Sequence, residues 1–310
     1  MSKWILMPDS FKGTMSSLEI CQLMREALLR HVPDAEVVSI PVADGGEGSV
    51  EAFLAAMGGH RVEVPCTGPD FRKISGFYGL LADGYTAVIE MAAAAGLPLM
   101  EGRLCAEGAT TYGVGELILA AIRDGARRII LGLGGSATND CGCAAALGVR
   151  FLDGTGAEYV PVGGTLDRLC RIDMSHRFPL LNGVEIVTMC DVDNPLCGPN
   201  GASAVFGPQK GADPDMVTRL DRNLRHLSEV IRQDLGREIP PPSTVLPPCQ
   251  PGESAAFALV DFDDYRKAHD QRTVRKNVTL PSYLNYLGEK AGLNFSQVFQ
   301  EALRQRLGVQ

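Results

Sequence analysis

The sequence predicts an α/β fold built on a parallel sheet, followed by a small segment of different character. Two observations predict the first part. Four short apolar runs, WILM, EVVSI, RIILG and EIVTMC, each break directly into a glycine- or aspartate-rich turn, respectively PDSFKG, PVADGGEG, LGGSATND and DVDN. Runs that are β-branched and apolar on both sides suit parallel strands covered on both faces, and helical patterns follow the first three turns. A third observation predicts the second part: a proline-rich stretch at 240–251, with a reversal of charge beyond it.

The 310 residues, 45% hydrophobic and 21% charged, suffice for one large core or two smaller ones. The net charge of −8 is uneven: residues 266–310 hold eight Lys or Arg against three Asp or Glu, a net of +5, which leaves −13 on residues 1–265. No apolar run approaches the roughly 20 residues that span a bilayer, and the run after Met1 is too short for a secretory signal. A cytoplasmic protein with no membrane partner is expected. Nine cysteines are scattered, and Cys141 and Cys143 lack a matching second pair, so reduced thiols and no zinc are expected.

Residues 4–7 form the first strand, which puts Asp9, Ser10 and Lys12 at its carboxyl end, ahead of an amphipathic helix from about 17 to 30. Ligands of open α/β sheets gather at such ends. Ser16 and Ser17 with Glu19 suit helix capping, whereas Lys12, beside an aspartate and a glycine, can neutralise phosphate charge. The strand 36–40 ends in Asp44, Gly45, Gly46 and Glu47 before a helix at 49–56, so two carboxylates and backbone amides converge on one strand end. Residues 62–90 read as strands with a turn at 67–69. Glu90, where 86–90 meets a helix of small residues, either binds substrate or caps that helix. TTYGVGEL at 110–117 opens another helix with hydroxyls and glycine, a second candidate anion site. Further on, the strand 184–190 leads to Asp191, Asp193 and Asn194. Asp191 and Asn194 suit magnesium or, for the carboxylate, a general base. Lys210 follows in a glycine-flanked turn.

The stretch 127–140, RRIILGLGGSATND, is the centre of the chain. Gly132, Gly134 and Gly135 permit a sharp turn that aims several N–H groups at one anion, and a helix starting near 144 adds the positive end of its dipole. Ser136, Thr138, Asn139 and Asp140 add the hard oxygen atoms that suit a magnesium-nucleotide complex. Three readings compete at this point. The glycines can serve geometry alone. Gly132, Gly134 and Ala137 also fit G-x-G-x-x-A, with Asp153 placed to hold a ribose, as in dinucleotide binding. A phosphoryl-transfer loop is the third; no Lys-Ser or Lys-Thr follows the glycines, so it is not of the Walker type.

PDSFKG, ADGGEG, IEMAAAAGL, TTYGVGEL, GLGGSATND and CDVDNPLCGPNGASAVFGPQKGA together, in this order over residues 1 to about 238, resemble the signature segments of the bacterial glycerate kinase family. The resemblance implies a two-domain α/β fold and transfer of the γ-phosphoryl of ATP, with Mg2+, to a hydroxyl of D-glycerate. It implies that the carboxylates and lysine line the cleft between domains. On this reading Gly134, Gly135, Ser136, Ala137, Thr138 and Asn139 bind nucleotide. Asp9, Lys12 and Asp191 are catalytic, and Ser10, Asp44, Gly45, Gly46, Glu47, Glu90 and Lys210 bind substrate. Asp140, Asp191 and Asn194 hold the metal. The chain departs from the family pattern in two places. CGCAAALGVRF follows GGSATND about two residues early, and the family's glycine-rich, acidic continuation past LGREI is not found, so its sheet is expected to be incomplete.

The kinase-like region is thus taken as residues 1–238, a proline-rich linker and remnant strand as 239–264, and a last segment as 265–310. The stretch 240–310 looks like the C-terminal part of a HicB-type antitoxin. Residues 273–280 alternate, with Val274, Val278 and Leu280 on one side and Arg275, Asn277 and Thr279 on the other. A helix from 281 or 282 to Gly292 and a second one capped by Asn294 complete a ribbon-helix-helix pattern. Two copies would pair their strands as a homodimer and enter duplex DNA, with Arg275, Asn277 and Thr279 reading bases and Arg272, Lys276 and Lys290 meeting phosphates. A helical hairpin with solvated basic residues is the plainer reading. The two functions expected are therefore glycerate kinase and, alternatively, a dimeric DNA-binding antitoxin-like protein carrying a kinase remnant.

Overall fold

A computed structural model describes residues 2–11, 14–237, 289–292, 298 and 306. The chain divides into two compact units, Met1–Val245 and Leu246–Gln310, the first ending seven residues beyond the expected boundary at 238. In order, the first unit contains β1 (Lys3–Leu6), α1 (Ser17–His31), β2 (Glu36–Ser39), α2 (Ser49–Met57), β3 (Gly59–Thr67), β4 (Lys73–Leu81), β5 (Thr86–Glu90) and α3 (Ala92–Ala95). It continues with α4 (Tyr112–Arg123), β6 (Arg128–Gly132), α5 (Gly142–Ala146), β7 (Arg150–Asp153), β8 (Glu158–Tyr159) and β9 (Leu169–Asp173). β10 (Glu185–Met189), α6 (Ala202–Phe206) and α7 (Pro214–Leu235) close it.

The expected parallel sheet is present in part. β10, β6 and β5 run parallel and in register, so Met189, Gly132 and Glu90 stand in one row at their carboxyl ends. β4 and β3 extend this sheet antiparallel, while β1 and β2 form a separate parallel pair, and β8-β7-β9 a third, antiparallel sheet. Crossovers through helices favour parallel neighbours, and the direct β3–β4 connection at Gly68–Arg72 is a hairpin that reverses the chain.

The main core lies between α4 and the five-stranded sheet. Val114, Leu117, Ile118, Ala121 and Ile122 line one face of α4 and meet Tyr78, Ile89 and Ile129. A second core packs Leu224, Leu227 and Val230 of α7 on Phe151, Leu169 and Ile172. Capping fixes the helices that flank the strand ends. Ser16 Oγ accepts the Glu19 N–H at 3.2 Å and Glu19 Oε2 accepts the Ser16 N–H at 2.8 Å, the capping box expected from these residues. No helix among the described residues is long and apolar enough to cross a membrane. In the second unit, Gly292 takes φ +66° with its N–H on the Glu289 carbonyl, as expected of a helix stop. Arg275, Asn277 and Thr279, like Lys12, lie outside the described residues.

Candidate functional site

Three strand exits come together by direct backbone contact. The Gly134 N–H donates to the Gly45 carbonyl at 3.1 Å, and the Leu133 N–H donates to the Met189 carbonyl at 3.1 Å, which joins the turns after β2, β6 and β10. Ser17 adds the turn after β1: its hydroxyl donates to the Pro8 carbonyl at 2.6 Å and accepts the Val42 N–H at 3.0 Å. The glycines make this approach feasible. A Cβ on Gly134 would stand 2.7 Å from the Gly46 Cα, and one on Gly132 would collide with the Gly45 carbonyl.

Within the turn after β6, the protein itself uses two of the expected anion donors. The Gly134 N–H is held by Gly45 and the Ala137 N–H donates to the Ala95 carbonyl at 2.8 Å. Gly135 takes φ +73°, and the N–H groups of Gly135, Ser136, Thr138 and Asn139 have no protein acceptor among the described residues. Asn139 Nδ2 donates to Ser203 Oγ of α6 at 3.1 Å, and its buried Oδ1 has no partner. Lys210, at the end of the 3₁₀ turn Pro208–Lys210, reaches the same loop: Nζ donates to Ser136 Oγ at 3.0 Å and to the Thr138 carbonyl at 2.6 Å. Burial pushes this amine down to about 8, with the Asp140 charge pulling the other way.

Two expected site residues serve elsewhere. Glu90 is 1% exposed, and its Oε1 accepts the Val50 N–H at 2.7 Å. It caps α2, whose own N-cap Gly48 has no side chain to do so, and not the helix α3 that follows it. Burial, the main cause, raises its carboxyl to about 7. Asp140, expected on the metal, points Oδ2 at the start of α4, accepting from the Thr111 N–H at 2.7 Å, the Gly142 N–H at 2.8 Å and the Thr110 hydroxyl at 3.0 Å. Its carboxylate is therefore the anion at the TTYGVGEL helix start, where an external one was expected. Burial pushes its carboxyl up against the pull of these donors, and Oδ1 is buried without a partner.

Of the other carboxylates, Asp9, Glu47 and Asp191 are exposed and Asp44 is half-buried. Asp191 is exposed just past β10. Asn194 gives its Nδ2 to the Asn200 carbonyl at 3.0 Å, which leaves only its oxygen for a cation. Asp9 accepts the Ser10 N–H at 2.7 Å and Asp44 the Gly46 N–H at 2.9 Å. Ser10 and Glu47 share a cleft of about 210 Å³ with Phe11, Thr14 and Glu19. Among the described residues no three His, Cys, Asp or Glu side chains converge on one metal position.

The geometry disfavours the dinucleotide reading. Asp153 ends β7 in the antiparallel β8-β7-β9 sheet, away from the parallel neighbours of β6, and its carboxylate closes a turn on Thr155 and Ala157. Those bonds hold it down at about 2.

A family model described as the glycerate kinase family matches residues 4–260, running past 238 into the proline-rich stretch. The chain is 47% identical over 237 residues to a glycerate kinase of Bacillus subtilis (strain 168), which is 76% of this chain and 62% of the relative. It is 47% identical over 236 residues to a glycerate 2-kinase of Escherichia coli (strain K12), 75% and 62% of the two chains. A crystal structure described as a glycerate kinase 2 from Salmonella typhimurium LT2 superposes with a TM-score of 0.68 at 43% identity, covering 76% of this chain and 64% of that one. The chain thus spans under two thirds of the length of these relatives. The converging strand exits and the matched residues 4–260 lead to one conclusion: this chain belongs to the glycerate kinase family.

Proposed function

We propose that the chain transfers the γ-phosphoryl of ATP to a hydroxyl of D-glycerate, giving phosphoglycerate and ADP. The observation that carries this reading is the turn after β6, whose unused N–H groups at Gly135, Ser136, Thr138 and Asn139 adjoin the turns that bear Asp44 and Asp191. Phosphoryl transfer needs positioning and cancellation of charge more than covalent help from the protein. The backbone donors hold nucleotide phosphates. Asp191 takes the proton of the attacking hydroxyl as the new O–P bond forms and the bond to the ADP oxygen breaks. Asp9 and Asp44 orient the acceptor, with Ser10 and Glu47 on the rim of the adjoining cleft. Asp191 and the Asn194 oxygen would hold Mg2+, which when bound neutralises phosphate charge. Relatives with glycerate kinase in their names, at 45–47% identity, support the substrate class.

The test is ATP consumption by the full chain with magnesium and D-glycerate, coupled to detection of phosphoglycerate. Turnover is expected in the wild type, and Asp191→Asn is expected to lower it by about 100-fold or more with the fold intact. Wild-type rates in that variant would remove Asp191 from the mechanism, and no turnover in the folded wild type would remove the activity.

For residues 265–310 the support is sequence alone, namely the alternation at 273–280 and the basic surplus. A DNA-reading ribbon there, paired as a homodimer, requires duplex binding that weakens steeply with salt. A monomer with no such binding would sink that reading. A cytoplasmic location belongs to the same proposal.

A further inference from the structure

Among the described residues Lys210 has no ion pair. Its Nζ makes two bonds, both to neutral acceptors, Ser136 Oγ and the Thr138 carbonyl. Among the described residues no carboxylate oxygen lies within 4.0 Å of it. The charge that bears on it is Asp140, whose Oδ2 is taken up by Thr110, Thr111 and Gly142. An ammonium has three donors, so one remains. A half-buried ammonium whose one opposing charge stands beyond contact distance is only partly compensated. The loop that Lys210 touches is also the one with unused backbone donors at Gly135, Ser136, Thr138 and Asn139. Four N–H groups within the five residues 135–139, with the Lys210 ammonium brought to the same loop from elsewhere in the chain, are complementary to a polyanion.

We propose that Lys210 supplies the positive charge of the phosphate loop, its ammonium binding the terminal phosphoryl oxygens of the nucleotide rather than the carboxylate of glycerate. The lysine comes from 74 residues beyond Ser136 in sequence, and Ser136 Oγ with the Thr138 carbonyl aims it. A Walker loop carries its lysine within the loop itself; here the turn after α6 delivers the same charge from outside. The inference rests on reading the turn after β6 as the phosphate site and adds the residue that charges it.

The experiment is a set of thermal melts of the full chain with sodium tripolyphosphate and, separately, with D-glycerate, both without magnesium. The wild type is expected to melt higher with tripolyphosphate. Lys210→Met is expected to keep a cooperative unliganded melt and to bind tripolyphosphate about tenfold or more weakly. Lys210→Arg restores part of the binding, since it keeps the charge but not the compact ammonium geometry. If Lys210→Met does not fold, Lys210→Gln, which keeps an N–H donor and loses the charge, takes its place. Three results overturn the proposal: unchanged tripolyphosphate binding in the neutral variant, loss of the glycerate response with the tripolyphosphate response intact, or no tripolyphosphate response in the wild type. Absence of phosphoglycerate formation would sink the kinase reading and leave this inference standing, provided that tripolyphosphate binds and does so through Lys210.

Discussion

At the scale of single residues, Glu90 couples the fold to pH. Its carboxyl is raised from 4.5 to about 7 by burial, so the folded protein holds a proton there that the unfolded chain gives up. The stability gained is full below pH about 4.5 and is lost as pH rises through about 7, a swing on the order of 3 kcal/mol. Glu90→Gln keeps an acceptor for the Val50 N–H and removes the titration. Urea midpoints of wild type and variant are expected to diverge in favour of the variant as pH rises through that window; a constant difference would contradict the assignment. Lys210 titrates next: with its amine at about 8, its charge and any phosphate affinity it brings are present below that pH and fade above it. Phe71 is a third case. It is the one non-glycine residue with positive φ among the described residues, +63°, and it is 49% exposed at the tip of the β3–β4 hairpin. With little packing to lose, Phe71→Gly is expected to stabilise the protein by about 1 kcal/mol in denaturant unfolding, whereas a net loss would show that the ring makes contacts that matter.

Elements show which parts of the sequence were legible. Turns after apolar runs marked β1, β2, β6 and β10, and the Ser16–Glu19 pattern marked the start of α1, because these signals are local. Partnerships across the chain are not local and were not legible. The hydroxyls and glycine at 110–113 look the same whether the helix start meets an external phosphate or, as it does, Asp140 from thirty residues away. Glu90 likewise caps α2, forty residues earlier, rather than the helix that follows it. Lys210 shows the same limit: nothing in a glycine-flanked turn reports that its side chain ends on Ser136 and Thr138. α7 went unread although its signals were ordinary ones: Asp213 and Pro214 at the start, Gly236 with φ +61° at the end, and Leu220, Leu224 and Leu227 at helical spacing. One prediction belongs to this scale. Because a Cβ on Gly134 would press on the Gly46 backbone, Gly134→Ala is expected to separate the β2 and β6 turns and lower phosphoryl transfer by about tenfold or more, with a smaller loss of stability. Full activity would mean that the turns can part without consequence.

On the scale of the whole first unit, burial is unequal. β5 is covered throughout, and Val88, Ile89 and Ile129 are fully enclosed, whereas β1 shows Ile5 at 58% and Trp4 at 44% exposure. Parallel strands are ordinarily covered on both faces, and a two-stranded pair is marginal by itself. Native-state hydrogen exchange is therefore expected to release the β1 and β2 amides well before those of β5 and β6. Equal protection would show that β1 and β2 open only with the sheet.

The position of Trp4 has a practical consequence. It is the only tryptophan in the chain, and it stands on the strand that leads to Asp9 and Ser10. The molecule thus carries its own optical label on the strand pair β1–β2. Because the indole is partly exposed, its emission would report through colour and quenching any ligand or polypeptide that settles over β1, with no dye attached and no residue replaced.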